Sequence, residues 1–187
     1  WRNPENLSTR SILALGFEPS KPLLIDSDFE RKAKTLKNKG RVLFDDLSRD
    51  EFGPISSWFK SGRVVETEVG GKRVRVSGIV SLGPSFGADG NLITSSETYL
   101  ELSPGNPKGS IEIGLVRLAK GSDIEKVVRS LNISLPSDVK VMSLKSFIDF
   151  EKNYWKSSTS IGFIFTMGAA MGFIVGCVIV YQILYSD

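Results

Sequence analysis

Asp45, Asp46, Asp50 and Glu51 crowd into one short stretch. Carboxylates this close can share a proton for acid–base work or hold a cation. Their spacing is not that of a calcium loop, and no other ligand-type side chain stands beside them, so the expectation is a solvated turn. Gly83, Gly87 and Gly90 raise a second chemistry, because glycine-rich loops cradle phosphates with backbone N–H groups. The spacing is not G-x-G-x-x-G, no Gly-Lys-Ser/Thr follows, and no helix is predicted to open directly after it. A mobile surface loop is expected instead, with Phe86 as a candidate partner contact.

The chain has no histidine. That removes His-based triads, His metal ligands and histidine pH switching in one step. The serines therefore lack a histidine to activate them, and no S-x-x-K motif occurs in a telling context. The single cysteine, Cys177, lies in an apolar run, so no disulfide forms within the chain. Net charge is +3, with the basic residues read as spread along the chain, which argues against a nucleic-acid surface. No catalytic, cofactor-binding or metal-binding residue is assigned, and the chain is not expected to be an enzyme.

The elements around these groups read as an α+β fold. Ile12-Leu13-Ala14-Leu15 and Leu23-Leu24-Ile25 read as short strands. A helix opens at Ser27, with Glu30 completing a capping box and Phe29, Ala33 and Leu36 on one face, and Gly40 is placed to end it. Arg41 to Phe44 reads as a strand and Ile55 to Phe59 as a helical turn. Val64–Val69 and Lys72–Val76 flank Gly70-Gly71, which is the clearest hairpin signal. Val74 and Val76 face one side and Arg73 and Arg75 the other, with Glu66 and Glu68 placed across from the arginines. Thr94 and Glu97 suggest a capped helix to Leu102, Ile111 to Leu118 a strand, Ser122 and Glu125 a capped helix to Leu131, and Val139 to Val141 a short strand. The order fits split β-α-β units on one face of a mixed sheet, in a domain over residues 1–142 with a small insertion at about residues 80–108.

From Ile161 to Tyr185 no residue is charged. As a helix this run spans roughly 37 Å, more than the ~30 Å hydrocarbon core of a bilayer. A stalk helix over 143–160 is expected to run into this membrane helix over 161–185 without a break. Gly168, Gly172 and Gly176 recur every fourth residue, which makes a groove where another helix can approach closely. Tyr154 and Trp155 before the run, and Tyr181 and Tyr185 at its end, match the aromatic belts at the two interfaces. Lys140, Lys145, Lys152 and Lys156 precede it and taken alone favour a cytoplasmic position for that flank. The chain opens on Trp1 and reads as an excerpt of something longer.

Three blocks carry a family resemblance. They are Phe44-Asp45-Asp46-Leu47-Ser48-Arg49-Asp50-Glu51-Phe52-Gly53-Pro54-Ile55, then Ser81 through Ser95, then Phe150-Glu151-Lys152-Asn153-Tyr154-Trp155 through Gly162-Phe163-Ile164-Phe165 to Val180–Asp187. In this order they resemble DevC-type ABC transporter permeases, which are cyanobacterial and similar to the MacB/FtsX group. The resemblance implies a MacB-like periplasmic core domain followed by the second transmembrane helix of an inner-membrane permease. It implies a separate DevA-like ATPase subunit, a DevB-like membrane-fusion protein, a TolC-like outer-membrane channel, a homodimer of permeases and contact with membrane lipid. The implied function is transmission of ATP-driven motion to the periplasm for export of lipid or other hydrophobic cargo, with ATP hydrolysed in the separate subunit. The alternative is an FtsX-like regulator of a periplasmic hydrolase, without transport. A single-span sensor or tethered enzyme is a third reading.

Overall fold

Two short strands with nothing but Gly-Gly between them can pair only as a tight hairpin. In the computed structural model this hairpin is β3 (Glu66–Val69) and β4 (Lys72–Val80). Gly70 and Gly71 take positive φ, 55° and 73°, as the turn requires. The register places Glu66 opposite Arg75 and Glu68 opposite Arg73, as the alternation predicts. The structure describes residues 1–21, 27–85, 87–107, 109–158 and 160–185, so the expected strand at Leu23 to Ile25 and the loop residue Phe86 lie outside the described residues.

The chain divides into two compact units, Trp1–Leu115 and Val116–Asp187. The first holds a mixed sheet in the order β1-β5-β2-β4-β3. Here β1 is Leu13–Phe17, β2 is Arg41–Asp45 and β5 is Asn91–Ser95. The parallel pairs, β1 with β5 and β2 with β4, are direct neighbours. The split β-α-β arrangement is therefore not formed, because no third strand separates two parallel ones.

The expected insertion at about residues 80–108 is corrected as well. Residues 91–95 from this stretch form β5, buried in all five positions and hydrogen-bonded between β1 and β2. A strand covered on both faces shows no alternation to betray it. Thr94 lies within that strand, so the helix cap falls one residue later. Ser95 accepts from the Thr98 N–H and opens α3 (Ser96–Leu102).

Helices cover both faces of the sheet. On one face α1 (Ser27–Ala33) and the 3-10 turn Lys34–Lys37 bury Phe29, Ala33 and Leu36 against Leu43, Ile93 and Val80. On the other, Phe52 and α2 (Ile55–Lys60) pack with Trp1, Val42, Phe44, Val74, Val76 and Leu92. Each fully buried Leu, Ile or Phe here contributes about 1.5–3 kcal/mol of hydrophobic stabilisation. The pairing of β2 with β4 slips after Val42, so that Val42 faces Val76 while Leu43 faces Gly78. The extra residue, Ser77, is a bulge, and it lets Val76 and Val80 serve opposite cores. Lys39, after the 3-10 turn, bridges Glu97 and Glu101 of α3. Its hydrogen bonds to Glu97 and then Glu101 hold its ammonium above the ordinary lysine range.

The second unit begins after an irregular stretch. Ile111 to Leu118 forms no strand, despite its partial alternation. Ile111 stands 80% exposed and Leu115 70% exposed, since no edge among the described residues pairs with them. Helix α4 runs Ile124–Ser134 and is capped by Asp123, which accepts from the Lys126 N–H at 3.1 Å, so Ser122 is not the cap. The expected strand at Val139 to Val141 is replaced by a side-chain clamp. Asn132 Oδ1 accepts from the Val141 N–H at 3.0 Å while its Nδ2 donates to the Val141 carbonyl at 2.9 Å. This imitates one rung of a ladder without a second strand.

Candidate functional site

Ser143 caps α5 (Leu144–Ser157) by accepting from the Ser146 N–H at 3.2 Å. Helix α6 follows over Ser160–Tyr185. The single stalk expected to continue into the membrane helix is thus two helices. Ser157 Oγ donates back to the Asn153 carbonyl at 2.6 Å, and Ser158 leaves the helix with φ −111° and ψ 1°. Serine hydroxyls compete for backbone groups in this way, and a run of them weakens a helix. Across the junction Gly162 is buried. The Lys156 and Trp155 carbonyls occupy the space that a Cβ on Gly162 would need, well inside contact distance. Only a residue without a side chain fits this approach. Tyr154 and Trp155 therefore lie on a separate helix from Tyr181 and Tyr185.

Among the described residues, one helix is long and apolar enough to cross a membrane, over Gly162–Tyr185. Its 24 residues span about 36 Å as a helix. Gly168, Gly172 and Gly176 lie along it with nothing within 4 Å of where a Cβ would stand. Spaced four apart, they share one face and leave a shallow channel in a helix otherwise lined by Phe, Ile, Val and Met. Tyr181 and Tyr185 stack at the far end with ring centroids 5.4 Å apart. Tyr154 and Trp155 meet edge to face at 6.1 Å on the last turns of α5. Both pairs are exposed, as interfacial aromatics are. Cys177 is an exposed free thiol on α6.

The acidic cluster does not converge. Glu51 pairs with Arg10 at 3.6 Å, and Asp46 accepts from Ser81 Oγ at 2.7 Å. Asp45, expected in a solvated turn, is 0% exposed. Its carboxylate accepts from the Leu82 N–H at 2.9 Å, the Gly83 N–H at 3.0 Å, Asn91 Nδ2 at 2.7 Å and the Leu47 N–H at 3.2 Å. Asn91 Nδ2 also donates to the Gly83 carbonyl at 2.8 Å. The other end of the glycine loop is held by the Arg49 N–H on the Asp89 carbonyl at 3.0 Å, beside the ion pair of the same two residues. Gly90 presses on Phe52 and Ser48 so closely that a Cβ would meet them at 2.6 and 2.7 Å. The loop expected to be mobile is therefore clasped at both ends, and Asp45 is its anchor rather than a proton donor or ligand. The sequence signal was Asp45's place at the end of an apolar strand, in phase with buried Leu43.

No group of three or more His, Cys, Asp or Glu is placed to hold a metal among the described residues. No protein-family model, curated protein or solved structure matches the chain.

Proposed function

We propose that the chain is part of an export permease, made of a head outside the cytoplasm and the membrane helix α6 that follows it. The observation that carries this reading is α6 itself, uncharged, exposed along its length and marked by an open row of glycines. An apolar surface of that extent is stable in lipid and is an aggregation hazard in water. In lipid, small residues let helix backbones come close, which is how membrane helices associate without a hydrophobic driving force.

The finer parts of the proposal rest on the sequence blocks at Phe44–Ile55, Ser81–Ser95 and Phe150–Asp187. On that ground the head is a MacB-like periplasmic domain and the protein a DevC-type permease of the inner membrane. A separate ATPase subunit drives it, a fusion protein docks on the periplasmic side, and a TolC-like channel completes the route for lipid or other hydrophobic cargo. Two permeases act as a pair. Motion passes between membrane and head through α5 and α6 as a jointed pair, and not through a single rigid rod. Exposed Phe147, Ile148 and Phe150 on α5 give it an apolar surface to bear on neighbouring helices.

Filling the groove tests the packing. Gly172→Leu is expected to weaken helix association, since its side chain would hold apart backbones that the small residues let come close. Energy transfer between donor- and acceptor-labelled chains in lipid vesicles measures it. Unchanged transfer efficiency would count against the groove as a packing face.

A further inference from the structure

Arg41 and Arg75 are direct partners in the parallel pairing of β2 with β4. Like charges opposite each other destabilise a sheet, so such a pair calls for an anion between or beside them. Yet among the described residues neither guanidinium has a carboxylate within ion-pair distance. Glu66 stands opposite Arg75 in the hairpin register and still makes no ion pair with it. A third guanidinium joins them. Arg63, in the segment between α2 and β3, lines the same open cleft of about 470 Å³ and has no carboxylate within ion-pair distance among the described residues. Its charge is held in place by stacking over the Trp58 ring, 3.8 Å from the centroid.

The rest of the wall suits a ligand with one charged end. Asn38, Thr35 and Ser77 supply polar groups, and Phe59 and Val64 supply apolar ones. The Thr35 and Ser77 hydroxyls lie 2.9 Å apart, with Thr35 donating to the Lys32 carbonyl and Ser77 to the Val42 carbonyl. That ties the cleft to the 3-10 turn and to β2. Planar guanidinium forks match phosphate oxygens in pairs, which an ammonium does not do.

We propose that this cleft is a binding site for a phosphate-bearing small molecule, held by Arg41, Arg63 and Arg75. It lies within the first unit and does not depend on the permease reading. The phosphate could be free or belong to a lipid headgroup, and the chemistry of recognition is the same for both.

Calorimetric titration of the full chain in a maltoside detergent tests this, with inorganic phosphate, glycerol 3-phosphate and a short-chain phosphatidylglycerol as probes. Saturable binding of at least one probe is expected, with a change in Trp58 emission. Arg63→Gln, in an exposed segment, and Arg75→Gln should each weaken it by about tenfold or more. Arg129→Gln on α4 removes the same charge elsewhere and should leave affinity unchanged. Tighter binding of the phosphatidylglycerol assigns the headgroup as the source, and equal or weaker binding assigns the free anion. No saturable binding of any probe, or an equal loss in Arg129→Gln, overturns the site.

Discussion

Asp45→Ala is expected to destabilise the first unit by about 3 kcal/mol or more, since each buried donor left without an acceptor costs about 1–3 kcal/mol. Four donors lose their acceptor at once, namely the N–H groups of Leu47, Leu82 and Gly83 and the Asn91 amide. The Asp45 side chain itself is 0% exposed, so its carboxylate is shielded from solvent. Asp45→Asn keeps the shape but turns an NH₂ toward donors, so it should fall between wild type and alanine. Exposed Asp50→Ala should stay within about 0.5 kcal/mol of wild type. Denaturant unfolding of the full chain in detergent, followed by near-ultraviolet dichroism, measures all three. Equal effects at Asp45 and Asp50 would contradict the clasp.

Gly162→Val is expected to force the α5–α6 junction open. The obstacles are the backbone carbonyls of Lys156 and Trp155, which no rotamer change can move aside. A β-branched side chain also has the least freedom to turn away. Spin labels at Lys145→Cys and Met171→Cys, with Cys177→Ser, report the change. A single straight helix would set their backbones about 39 Å apart. The variant should lengthen the distance toward that value, while Gly168→Val should leave it unchanged because nothing stands near Gly168. An identical distance distribution in Gly162→Val would show that the junction does not depend on this contact.

The hairpin, α1, β2, α2 and α6 were legible because each carries its own local signal, whether a turn pair, a heptad-like face or an uncharged run. β5 was not. Leu92 and Ile93 are flanked by polar residues that the fold buries as well, so neither alternation nor an apolar run marks them. Ile111 to Leu118 failed the other way. Its pattern is that of a strand, but pairing is a tertiary fact and no edge among the described residues receives it. The break after α5 has a signal in the sequence. Ser157, Ser158, Thr159 and Ser160 are four hydroxyl residues in succession, a poor sequence for a rigid rod. The cationic cleft had a partial signal too. Arg31, Lys32, Lys34, Lys37, Lys39 and Arg41 fall in eleven residues without one acid, so the basic residues are not spread evenly. What no sequence reading supplies is the register that sets Arg41 beside Arg75, because it is fixed only when β2 pairs with β4.

The central claim is that α6 crosses a membrane and holds the first unit outside the cytoplasm. Labelling of intact spheroplasts with a membrane-impermeant maleimide, in a Cys177→Ser background, tests it most directly. Glu66→Cys, on the exposed face of the hairpin, should label fully before lysis, while Met171→Cys, midway along α6, should resist the reagent before and after lysis. Protection of Glu66→Cys until the cells are lysed, or labelling of Met171→Cys as fast as Glu66→Cys, would contradict the account.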